Sequence, residues 1–264
     1  MKNKSKGLFL SVIVLLGIAF IRIRMHYRTP EVRDYEQIAA DTLRMVTEYN
    51  SVDYYVSGDT IAGVQYDLCK FIERRSGLPV AISLENSLET CMGKLENKTY
   101  DVIALSIPIT KKNNERLAFT EPITRDKQVL VQRKKTGKED DSLFVGNQIQ
   151  LANRTVFVPE NSPAILRLKN LSEEIAEHIH IGQISNYTAE QLIEMVSTGK
   201  IDYVVVNREL AIKNLKQFPN IDIKTDISFT QLQAWAVRKN APILLDSLNV
   251  WIADYFSLPL QRKK

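Results

Sequence analysis

The side chains of this sequence with the strongest intrinsic chemistry are few: two cysteines, Cys69 and Cys91, three histidines, and a scatter of carboxylates. His178 and His180 stand two apart on a predicted strand, where they share a face. With His26 as the only other histidine, a zinc site would have to recruit distant carboxylates, so no metal centre is expected. No two glycines lie two residues apart, which excludes the dinucleotide fingerprint, and no Gly-Lys pair is followed by Ser or Thr, which excludes a P-loop. Gly-x-Ser-x-Gly is missing as well, and spacing does not separate a glycosidase carboxylate pair from surface acids. The sequence therefore predicts no catalytic residues and no cofactor. What it offers instead is polar side chains just beyond apolar runs, the positions from which an α/β protein holds a ligand.

The clearest such place follows Tyr100. Asp101 to Leu105 is a short apolar run that reads as a buried strand, ending in Ser106 and Thr110 around Pro108. Similar positions recur along the chain. Thr42 to Thr47 reads as a strand followed by a polar, tyrosine-rich loop with Glu48 and Tyr54. Ser162-Pro163 opens a helix, with Ser162 as its cap and Pro163 at its first position, and such a start offers free N–H groups to an anionic or polar ligand. A buried run from Asp202 to Val206 ends in Asn207-Arg208. Glu48, Tyr54, Ser106, Thr110, Ser162 and Asn207 are the expected ligand-binding residues.

The elements that would carry them form a repeating pattern. Gly63 to Ser76 is a predicted helix with Val64, Leu68, Phe71 and Ile72 at helical spacing, stopped by Gly77 and Pro79. Val80 to Leu84 is the second strand, and Asn86 with Glu89 makes a capping box for the next helix. The βαβαβ order implies a parallel sheet with helices on both sides. Cys69 and Cys91 fall on successive crossover helices, on opposite faces of that sheet, and are expected to be buried thiols rather than a disulfide. Gln128 to Gln132 leads out of this unit. A second unit begins with the strand Asn153 to Val158 and includes a helix capped by Thr188 with Gln191. Ala234 to Lys239 and the helix Pro242 to Phe256 return to the first, with Trp235 and Trp251 read as core.

Several of these stretches resemble motifs of the family 3 extracellular solute-binding proteins. Tyr100 to Pro122 is similar to the family's Tyr-Asp, apolar run, Thr-x-Thr-Pro-Glu-Arg and Asp-Phe-Ser-x-Pro; Gly63 to Leu68 resembles Gly-Phe-Asp-x-Asp-Leu; Ala234 to Lys239 resembles Gly-Ile-Ala-Val-Arg-Lys. The resemblance implies a two-lobed, type II periplasmic-binding-protein fold of the α/β class, with residues 41–129 and 230–264 in one lobe and 130–229 in the other. In amino-acid-binding members an Arg of the first lobe clamps the ligand carboxylate and an Asp of the second pairs with its ammonium. These positions fall on Asn113 and Asn207, a substitution that disfavours a free zwitterion in a dry cleft. Neutral amides suit a hydroxylated, amide-bearing or capped ligand, so the expected partner is an amino-acid derivative, a peptide or a muropeptide. The same module forms the N-terminal part of membrane-bound lytic transglycosylase F, which keeps cell-wall sensing as an alternative. A dehydratase on the same scaffold is a third reading, for which Glu48 or Glu160 with Arg208 would serve.

Leu8 to Ile23 is nearly all apolar behind Lys2, Lys4 and Lys6, the layout of a signal anchor. Residues 1–29 are therefore expected to hold the chain in the inner membrane as a single pass, with the folded part in the periplasm, where a membrane transporter or a cell-wall enzyme would be its partner. Residues 1–40 carry seven Lys/Arg against three acids and so supply the whole formal charge of +4. The neutral remainder argues against nucleic acid.

Overall fold

The computed structural model describes residues 33–137 and 142–258. The apolar segment 8–23 and the end of the charged stretch 134–141 lie outside the described residues. Among the described residues no helix is long and apolar enough to cross a membrane.

The chain starts with a short helix α1 (Tyr35–Ala39), β1 (Leu43–Thr47), the hairpin β2 (Tyr55–Ser57) and β3 (Thr60–Ala62), α2 (Val64–Ser76) and β4 (Val80–Leu84). Then come α3 (Leu88–Glu96), β5 (Val102–Pro108), α4 (Lys111–Arg116), β6 (Leu117–Phe119) and β7 (Thr124–Asp126). These strands, with the late β13, form one sheet in the order β4-β1-β5-β13-β6, β7 pairing with β13. The chain crosses to a second sheet at β8 (Gln128–Arg133), followed by β9 (Thr155–Pro159), α5 (Ala164–Glu174), β10 (His180–Ile184), α6 (Ala189–Ser197), β11 (Val204–Asn207), α7 (Arg208–Asn214) and β12 (Ile221–Asp222), in the order β10-β9-β11-β8-β12. It returns through β13 (Gln231–Arg238) and ends in α8 (Pro242–Ser257). Within each sheet the crossover strands run parallel, and the strand contributed by the lobe crossing runs antiparallel. This is the two-lobed α/β architecture expected.

Burial follows the patterning. β1 buries Leu43 and Met45 under α2 and α8, while Val46 faces the opposite layer with α3. Helix α2 stops where Gly77 takes φ 73, a left-handed turn that glycine adopts at no steric cost. Cys69 and Cys91 are buried, unpaired and in different core layers, as the crossover argument requires. Burial pushes both thiols up, Cys91 to about 12. Asp101 is fully buried and accepts from Arg33, Arg44 and Arg238. Burial opposes its ionisation, yet these bonds hold it below the usual carboxylate range.

Three local expectations need correction. The cap of α3 is Ser87, whose hydroxyl accepts from Thr90 N–H, and not Asn86. Helix α5 begins at Ala164, so Pro163 occupies the cap position and the Ser162 hydroxyl accepts from Ala164 N–H instead. Strand β5 runs on through Ser106 to Pro108 because β13 pairs with it there, Ala234 beside Ile107 and Gln233 beside Pro108. That partner lies more than a hundred residues later and leaves no local signal.

Candidate functional site

A cavity of about 550 Å³ lies between the lobes, at the carboxyl ends of the parallel strands. The first lobe supplies Glu48, Asn50 and Asp53 from the loop after β1, Gln65 from α2, and Ser106 to Pro108 from β5. The second supplies Glu160 to Ala164 from the start of α5 and Val205, Val206, Asn207, Glu209 and Leu210 from β11 and α7. Asp126, Gln128 and Gln233 enter from the strands where the chain crosses.

Of the six residues expected from sequence, Glu48, Ser106, Ser162 and Asn207 line this cavity; Tyr54 and Thr110 are not among its lining residues. Tyr54 is occupied in an aromatic run, tilted against Tyr49 at 6.4 Å and edge-on to Tyr66 at 5.4 Å. The Thr110 hydroxyl accepts from Asn113 N–H at 3.2 Å and so caps α4. Asn113 is turned back on its own strand end, donating to the Pro108 carbonyl at 3.0 Å. Arg116 nearby points outward to Glu89 and Glu96. Asn207 precedes α7 without making a side-chain cap. Of the residues that a dehydratase reading would use, Glu48 and Glu160 line the cavity, whereas Arg208 is not among its lining residues and stands 4.0 Å from Asp226.

Residues that the sequence did not single out organise the site. Gln65 is almost fully buried; its amide N–H donates to the Ser106 hydroxyl at 3.0 Å and its carbonyl accepts from the Trp235 indole N–H at 2.6 Å. One side chain that both donates and accepts thus ties α2, β5 and β13 together below the cavity. Asn50 orders the loop in front of it, accepting from Val52 and Asp53 N–H and donating to the Asp53 carboxylate at 2.8 Å. The backbone carbonyls of Val52 and Asp53 in turn receive the first N–H groups of α2. Gly63 at φ 138 makes this approach feasible, since a Cβ there would sit 2.2 Å from the Asp53 carbonyl oxygen.

The result is a dense set of carboxylates. Burial, followed by the charges of Asp53 and Glu190, pushes Glu48 from 4.5 up to about 8. Asp53 and Asp126 are also raised, in each case mainly by burial. Glu190 reaches over from the second lobe, accepting from Ser51 N–H at 3.0 Å and from the Asn214 amide at 3.3 Å. The Lys213 ammonium, 5.5 Å from the Tyr55 ring centre, makes a second contact across the lobes. His178 and His180 meet edge-on at the surface, away from the cavity lining, and no group of three metal-binding side chains occurs among the described residues.

Residues 43–257 match the profile of the bacterial extracellular solute-binding proteins, family 3. The chain belongs to that family. Similar full-length proteins include the membrane-bound lytic murein transglycosylase F of Desulfosudis oleivorans, 30% identical over 78% of this chain and 43% of that protein, and its namesake from Aeromonas salmonicida, 26% identical over 94% and 47%. The chain thus spans under half the length of these relatives. Among solved structures, an ancestral arginine-binding protein bound to arginine superposes with a TM-score of 0.72 at 21% identity, covering 84% of this chain and 95% of that one. That likeness establishes the family's fold here and leaves the ligand to be argued from the cavity.

Proposed function

We propose that this family member is an extracytoplasmic solute-binding protein, anchored in the inner membrane by residues 1–29, that holds a small polar ligand between its lobes for uptake or sensing. The observation that carries the reading is the cavity itself, lined from both lobes and from both crossing strands. A ligand gripped from both sides stabilises the closed arrangement over an open one, and a transporter or a wall enzyme reads the closed form. Glu48, Ser106, Ser162 and Asn207 are the proposed contacts. Arginine bound to a structural neighbour supports an amino-acid-like size for the ligand. The transglycosylase F relatives support a second reading, a non-catalytic sensor of cell-wall fragments.

Thermal unfolding of the full-length protein with amino acids, amino-acid derivatives, peptides, sugars and muropeptides tests the proposal. A ligand that binds only the native state at 100 times its Kd adds about 2.7 kcal/mol. Stabilisation by muropeptides alone would select the wall-sensing reading. Absence of stabilisation by every compound would overturn ligand binding at this cavity.

A further inference from the structure

We propose that the interlobe cavity selects a ligand carrying ammonium or guanidinium groups and no free carboxylate. The inference rests on the solute-binding reading and narrows it to one chemical class.

Two independent features lead to it. The first is the acidity of the lining: six carboxyl groups, Glu48, Asp53, Asp67, Asp126, Glu160 and Glu209, and, among the described residues, no lysine, arginine or histidine. The cations adjacent in sequence are committed elsewhere, Lys127 at 2.5 Å and Arg208 at 4.0 Å from Asp226. Arg208 eases the ionisation of Asp126, and burial still leaves that carboxyl above its usual range. The second feature is neutral. Gln128 and Gln233, 7% and 2% exposed, both line the cavity, and the side-chain carbonyl oxygen of each has no hydrogen-bond partner among the described residues. A buried carbonyl left unpaired forfeits the hydrogen bonds it made to water, so each calls for a donor. Carboxylates and amide carbonyls together make a surface of acceptors, which ammonium and guanidinium groups, all donor and positively charged, complement.

The backbone excludes the opposite charge. Helix starts are the usual anion sites of such clefts, but the leading N–H groups of α2, α5 and α7 are taken. Those of α2 go to the Val52 and Asp53 carbonyls, Ala164 and Ile165 of α5 both bond to Ser162, and Arg208 and Glu209 of α7 bond to the Lys127 carbonyl and the Asp126 carboxylate. With Asn113 folded onto Pro108, a ligand carboxylate would be desolvated among acidic side chains without a compensating partner. Asn207 accepts from an ammonium or from an amide N–H equally well.

Agmatine, L-argininamide and L-arginine share a guanidinium and differ at the other end, so calorimetric titration of the full-length protein with these three, with cadaverine, and with succinate and N-acetylglucosamine decides the matter. L-Argininamide and agmatine are expected to bind, and L-arginine at least tenfold more weakly than its amide. Glu48→Gln and Asp126→Asn, which keep side-chain shape, should each weaken L-argininamide at least tenfold without lowering the unfolding midpoint of the ligand-free protein. Equal affinity for L-arginine and its amide, or full affinity in both variants, would overturn the proposal. Binding of succinate or N-acetylglucosamine with no binding of any cationic probe would overturn the charge class alone and leave solute binding intact. Binding by none of the probes, nor by any compound of the wider unfolding panel, would remove both.

Discussion

Replacing Glu48 by Gln keeps the shape of the side chain and removes a carboxyl that the structure holds protonated far above its normal range. Burial and the charges of Asp53 and Glu190 raise it from 4.5 to about 8, against a smaller opposing hydrogen bond from Asn50. A native state that binds the proton more tightly than the unfolded chain is favoured while both are protonated, below 4.5. That advantage drains away as pH rises and is gone above about 8, where both states are ionised. At about 1.36 kcal/mol per pH unit, the full interval amounts to about 5 kcal/mol. Glu48 keeps partial solvent contact, which trims the effect to about 2–4 kcal/mol. Urea unfolding of wild type and Glu48→Gln should therefore nearly coincide at about pH 5 and diverge to about pH 9, the variant being the more stable by about 2–4 kcal/mol there. Asp53 and Asp126 shift in the same direction but are present in both proteins and cancel in the comparison. Parallel curves over the whole range would refute the desolvated carboxylate cluster.

Gly63→Ala forces a Cβ to within 2.2 Å of the Asp53 carbonyl at φ 138; a loss of about 2–4 kcal/mol by urea unfolding, together with loss of ligand stabilisation, is expected. Asp101→Asn strips the charge partner from Arg33, Arg44 and Arg238 and should destabilise the first lobe by about 3–5 kcal/mol, with no change in the affinity of the folded protein for ligand. Cationic ligands should release protons on binding at about pH 7, because they favour the ionised form of Glu48, a release read as a buffer-dependent enthalpy that disappears in Glu48→Gln. Both cysteines should resist thiol reagents in the native protein and react in urea, since each is buried and raised in pKa.

The sequence carried the fold in its local signals. Alternating short apolar runs and capped amphipathic stretches predict the strands and helices of both lobes, and Thr188 with Gln191 forms the capping box expected of it. Half-local properties were less legible. Ser87 rather than Asn86 caps α3 because either residue satisfies the pattern and only backbone geometry chooses between them. Tyr54 looked like a cleft wall by its place in a tyrosine-rich loop, but Tyr49 and Tyr66 engage it. The site was legible only as far as strand ends mark it. Gln65, Asp126, Gln128 and Gln233 were missed because their roles come from pairing across the sheet or between lobes, as when Trp235 meets Gln65 over a separation of 170 residues. A Gln among apolar neighbours carries no sign of whether its amide will face solvent, a core tryptophan or a cavity.

The acidic cleft also explains how a ligand of the proposed class would couple to closure. Glu48 belongs to the first lobe and Glu190 to the second, and bringing the lobes together sets one against the other. Glu190 is held there by Ser51 N–H from one lobe and Asn214 from the other, so it cannot turn away without breaking the link between them. In the closed arrangement this repulsion is met by protonating Glu48, which becomes harder as pH rises, and a cation seated beside Glu48 in the cavity would offset it as well. On the proposal above, a cation beside Glu48 would do more than fill the cavity: it would relieve a term that opposes closure, and its affinity would contain the free energy of that relief. An anionic ligand of the same size would add to the repulsion at the same point, however well its remaining atoms fitted.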